Sequence, residues 1–104
     1  MIEESAIERA VQWMIDNATE AAQARANREH CEQYRKTLKA TLMKERADLP
    51  LGAQEREAYA DERYVAHLNA LRAAVEADER MRWLMTAAET RVSAWQTMCR
   101  MQRT

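Results

Sequence analysis

Proline and glycine are the residues an α-helix tolerates least, and this chain has one of each, Pro50 and Gly52, two positions apart. Everything before and after residues 48–61 is free of both. Leu49 precedes Pro50 and is therefore pushed out of the α region, while Pro50 itself has no N–H to give. The chain is thus divided into two long helical stretches that must reverse direction at this segment. High alanine, glutamate and arginine content, 32% charged residues and no phenylalanine fit long amphipathic helices and leave little material for strands.

The fold class expected is all-α: a long antiparallel helical hairpin with a short helix at its tip, built as a single domain over 1–104. The first helix is expected at about 4–47. Ser5 and Glu8 fit a capping box, and Glu3 and Glu4 suit the positive end of the helix. Its apolar or small residues recur at Ile7, Val11, Met14, Ala18 and Ala21, then resume out of phase at Ala24, Cys31, Leu38, Leu42 and Leu49. That slip resembles a three-residue stammer. A helix of this length spans about 65 Å at roughly 1.5 Å per residue, and its alanine-rich stretch Ala18 to Ala26 admits a close partner.

Gly52 is read as the cap of a short helix at about 53–60, with Glu55 at its third position. Asp61 is read as the cap of the last helix, about 62–102, whose stripe runs Tyr64, Leu68, Leu71, Val75, Asp78, Met81 or Arg82, Met85, Ala88, Val92, Trp95 and Cys99. Folding at 48–61 with partner numbers summing to about 109 sets Trp95 near Met14, Leu38 near Leu71 and His67 opposite Leu42. Two helices alone do not cover the apolar surface implied by three tryptophans and seven methionines. A homodimer forming a four-helix bundle is therefore expected.

A formal net charge of −1 gives no global attraction to nucleic acid or membrane. No apolar run approaches the roughly 18 residues that cross a bilayer, and the acidic Met-Ile-Glu-Glu-Ser start is unlike a basic targeting segment. No membrane partner is expected, and localisation is expected to be cytoplasmic. Cys31 and Cys99 lack metal or redox spacing and are read as reduced thiols. His30 and His67 fall about 18 Å apart on the hairpin alignment and do not share a metal. With no glycine-rich phosphate loop and no nucleophile beside a base, no catalytic residue, no metal and no cofactor are assigned, and the chain is not read as an enzyme.

Charge alternates along the chain: acidic over 1–24, basic over 25–47, acidic over 48–79, basic over 80–104. Within the first basic block, Arg28, Arg35, Lys39 and Arg46 share one helical face, with Lys36 and Tyr34 beside them. A basic stripe with an aromatic neighbour can follow a nucleic-acid backbone and stack a base. Equally, it can be a solvated face whose long stems cover the apolar seam. Asp78 falls on the apolar stripe of the last helix, where pairing with Arg35 or Arg82 would fix register, unless a slight rotation of the helix leaves it in water. At the tip, Arg56 and Tyr59 are candidates for contact with a partner, or Tyr59 packs with Tyr64 onto the bundle.

Three stretches carry a family resemblance: Ala21–Ala26 running into Tyr34–Ala40 and Leu42–Glu45; Ala53–Ala60; and Met81–Leu84 with Val92–Trp95. They resemble small helical proteins of unassigned activity from tailed bacteriophages and prophages, encoded near recombination or replication genes. The resemblance implies a phage origin, a site of action in the infected cell's cytoplasm, and no catalytic residue to carry over. Family members often have proline after the position of Asp61, where this chain has Glu62. The function expected is a non-enzymatic accessory role in phage DNA recombination or replication, through contacts with phage or host DNA-metabolism proteins or with DNA. The alternatives are an inhibitor of a host defence or nuclease complex and a purely structural assembly module.

Overall fold

The computed structural model describes residues 2–103. It is a three-helix hairpin: α1 Glu4–Lys44, α2 Leu51–Ala60 and α3 Glu62–Gln102, with no strand among the described residues. Its extents are 76 × 23 × 15 Å, so the molecule is two helices wide and one helix thick. A compact chain of about 100 residues would have a radius of gyration near 13 Å; this one has 22.2 Å.

Each end of each helix differs in how it is closed. At the start of α1 the N-cap is Glu3, whose side chain makes no capping bond, and its carbonyl accepts from Ala6 and Ile7. Ser5 lies inside the helix, so the expected capping box is not formed. α1 stops at Lys44 rather than 47, and the chain tightens into turns closed by Arg46 N–H to Met43 and Leu49 N–H to Arg46. Pro50 is the N-cap of α2, and its carbonyl accepts from Ala53 and Gln54. Gly52 is therefore helical, with no positive φ, and does not act as a cap. Asp61 does cap α3: its side chain accepts from Arg63 N–H at 2.8 Å.

Burial on α1 follows Ile7, Ala10, Met14, Asn17, Ala21, Ala24, Arg28, Cys31, Leu38 and Leu42. These positions keep one unbroken alternation of three and four residues, with exposed Arg35 in the slot between Cys31 and Leu38. The expected stammer is absent, because the seam takes Ala10 and Asn17 instead of the more apolar Val11 and Ala18 one residue further on. On α3 the seam likewise runs through His67 and Ala74 instead of Leu68 and Val75, then Asp78, Met81, Met85, Ala88, Val92, Trp95 and Cys99.

The helix pairing is shifted from the expected one by two to three turns. His67 meets Cys31 and Tyr34, not Leu42, and Leu38 packs with Tyr64, not Leu71. The cause lies at the tip: α1 ends early and α2 folds back against it, so α3 begins closer to Leu38 than a minimal turn would place it. The core there is Leu38, Leu42, Ala58 and Tyr64, with Met43 packed against it; Leu42 is 2% and Ala58 1% exposed.

Candidate interaction surfaces

Two cations of the basic stripe of α1, Arg28 and Lys39, are paired with acids within the chain. Arg28 donates from Nη1 to Glu79 at 2.9 Å and Asp78 at 3.2 Å, and from Nε to Glu32 at 3.1 Å. Those hydrogen bonds, Glu79 first, raise its already high pKa. Lys39 Nζ donates to Glu55 of α2 at 2.8 Å and lies 4.6 Å from the centre of the Tyr59 ring. Glu55 holds the Lys39 ammonium above its ordinary range, and Lys39 in turn pulls the Glu55 carboxyl below 4.5. The side chains of Arg35, Lys36 and Arg46 remain exposed and form no ion pair or side-chain hydrogen bond among the described residues.

Asp78 is buried, 4% exposed, and does cross the seam to an arginine, as a register residue should. Its partner is Arg28, not Arg35 or Arg82. Arg35 lies two turns further along α1 toward the tip, out of reach of Asp78. Arg82 instead donates to Glu79 at 3.3 Å. Arg28, Asp78, Met81 and Met85 line an open groove of about 650 Å³ floored by Ala21 and Ala22. Its charges of opposite sign are already paired, which leaves no convergent charge for a ligand.

At the tip, Tyr59 packs edge to face on Tyr64 with ring centres 5.2 Å apart. Tyr59 keeps 45% of its surface exposed while Tyr64 is buried, so the tyrosine pair closes the tip and still shows one ring to solvent. Arg56 is exposed on the same helix. Gln54 Nε2 reaches back to the Leu49 carbonyl at 2.8 Å. Arg63 clamps Glu45 and Asp61, holding both carboxyls below their ordinary range.

The histidines are not far apart, contrary to the expectation from the first alignment. His30 stacks on Tyr34 at 6.0 Å and His67 meets the same ring edge-on at 5.3 Å. His67 Nε2–H donates to the Cys31 carbonyl at 2.7 Å, tying the cluster across the seam. Sequence reasoning missed this cluster because it depends on the two-turn shift in pairing. Among the described residues no group of three or more His, Cys, Asp or Glu could hold a metal ion. Cys31 and Cys99 are both free, the first buried on the seam. No described helix is long and apolar enough to cross a membrane.

Large apolar side chains remain in water along the hairpin. Ile15, Leu51, Trp83 and Met101 are each well exposed, Trp83 at 71%. Among the described residues no large side chain is fully buried. Such a surface suits contact with another protein better than capture of a small molecule. No protein-family model, curated protein or solved structure matches this chain.

Proposed function

We propose that this chain is a non-enzymatic, protein-binding accessory of phage DNA recombination or replication, working as a homodimer in the cytoplasm of the infected cell. The phage setting rests on the sequence resemblance. The mode of action rests on one contrast: the stripe cations nearest the seam, Arg28 and Lys39, are tied up by acids, while large apolar side chains are left exposed. Arg28 and Lys39 are the two members of the stripe nearest the seam, and acids meet both. The cations of the first basic block left exposed without an ion pair, Arg35, Lys36, Lys44 and Arg46, are fewer than the roughly 6–10 phosphate contacts of a tight, strongly salt-dependent binder. Catalysis is disfavoured on the same evidence. Glu45, Glu55 and Asp61 are all held ionised by cations, the reverse of the raised carboxyl a general acid needs.

The test is purification of the tagged chain from phage-infected cells. Recovery of a phage recombinase or single-strand binding protein is the expected result, together with no retardation of a labelled oligonucleotide at low salt. Recovery of a host nuclease would replace this reading with that of an inhibitor. Oligonucleotide affinity falling steeply with salt would overturn the protein-only mode of action.

A further inference from the structure

The hairpin has two broad faces, and they differ in chemistry. One carries the ion pairs that cross from α1 to α3, Arg28 with Asp78 and Glu79. On the other, α3 presents Ala73, Ala77, Arg80, Leu84, Ala87 and Arg91 in a row at alternating spacings of four and three, continued toward the tip by exposed Ala70 and Ala66. α1 presents Trp13, Glu20, Asn27 and Tyr34 there, seven apart. Between the helices this second face opens into an apolar groove of about 280 Å³ lined by Ala6, Ala10, Trp13, Leu84 and Ala87, with Arg9 and Arg91 at its rim.

We infer that this face binds a second copy of the chain, with the two-fold axis along the hairpin so that both tips lie at the same end. Area permits it: a face 76 Å long and 23 Å wide needs to contribute only about half of itself to reach the ~800 Å² per partner of a stable dimer. The thin core calls for it, since a single layer of helices leaves no large side chain fully covered among the described residues.

Shape and charge then choose the axis. A two-fold along the hairpin lays α1 of one copy over α3 of the other and keeps every residue at its own height. Trp13 is level with Leu84 and Ala87, and Tyr34 is level with His67. The bulky residues of one copy's α1 therefore meet the alanines of the other copy's α3: Trp13 over Ala87, Tyr34 over Ala66 and Ala70. Seven residues on from Trp13 along α1 and seven back from Ala87 along α3, Glu20 and Arg80 are level too. Neither side chain has a hydrogen bond or ion pair among the described residues, and each meets its opposite charge on the other copy. A perpendicular axis would reverse height and stack α1 on α1 and α3 on α3, setting bulk on bulk and alanine on alanine and leaving Glu20 apart from Arg80. The one unfavourable meeting in the tips-together arrangement is Arg9 with Arg91, at the exposed open end.

This inference rests on the homodimer named in the proposed function, and its test reads the purified chain alone, so it succeeds or fails apart from the search for a phage partner. Sedimentation equilibrium is expected to give twice the chain mass at about 100 µM, in the range where a micromolar dimer is populated. Ala77→Glu places a charge on an exposed helical site that the lone hairpin tolerates, and should weaken the dimer at least ~10-fold with unchanged helicity. Thr86→Glu, on the opposite face, should leave it intact. Glu20→Arg should weaken the dimer, the double variant Glu20→Arg/Arg80→Glu should restore it, and Arg91→Glu should tighten it. A monomer throughout overturns the inference, and an Ala77→Glu dimer of wild-type strength overturns the choice of face. Failure of the double variant to restore association overturns the tips-together axis.

Discussion

Arg28 and Asp78 are unequal partners. The Asp78 carboxylate is buried and has one cation, whereas Arg28 keeps part of its surface in water and has three acids. Removing either side therefore has opposite consequences. Arg28→Leu leaves a charge without its partner in the seam and should lower the melting temperature clearly. Asp78→Leu leaves Arg28 with Glu32 and Glu79, fills the seam with an apolar side chain, and should be neutral or stabilising by about 1 kcal/mol. Paired thermal melts check the order, and a larger loss for Asp78→Leu would contradict it. Gly52 supplies a second case. It is helical with negative φ, and a Cβ there would meet nothing within 4 Å. Gly52→Ala should therefore raise stability by about 0.5–1 kcal/mol through a less free unfolded chain, read as a shift in the urea midpoint at constant slope.

The tip helix α2 is held by four kinds of contact: Ala58 in the core, Tyr59 on Tyr64, Lys39 with Glu55, and Gln54 on the Leu49 carbonyl. Its charged contacts carry a pH signature. Lys39 and Arg63 pull Glu55, Glu45 and Asp61 below their ordinary values, 4.5 for the glutamates and 3.8 for the aspartate. Groups with lowered folded pKa contribute stability that is present above the unfolded pKa and is lost as pH falls through the folded one. The tip should thus loosen first below pH 4.5, and Glu55→Gln should remove part of that dependence without changing stability slopes at neutral pH; amide exchange of α2 against α3 is the measurement. Elements of this size were largely legible in the sequence. Pro50 located the break and Asp61 started α3, because both act through local backbone chemistry. The seam was not fully legible. Val11 and Leu68 are better apolar candidates than Ala10 and His67 by composition, yet the heptad geometry of two closely packed helices selects the small or polar neighbour. Register was the furthest from legible, since it depends on how many residues the tip consumes, and with it went Arg35 as the partner of Asp78 and the meeting of His30, Tyr34 and His67.

At the scale of the molecule, length and thinness govern the rest. A hairpin 76 Å long and 15 Å thick has no interior in which a site could be shielded from water. Its stability is spread along the seam in short segments: apolar at the tip around Leu42, polar at Arg28 and Asp78, and sparse between Asn17 and Ala24. Local opening should therefore be easiest away from the tip, and association would reinforce that stretch most. Solution scattering gives a reading that does not depend on any substitution. Side-by-side pairing along the hairpin doubles the 12.1 kDa mass while leaving the longest dimension near 76 Å and the radius of gyration close to 22.2 Å. Pairing through the tips or the open ends would give the same mass with a longest dimension of roughly twice that length, because helical rise accumulates along the axis. The expected distance distribution ends at about the length of one hairpin, plus a side chain at each end. A distribution extending well past that would place the contact at the ends, and would assign the exposed Leu51 and Tyr59, not the alanine face of α3, to the dimer.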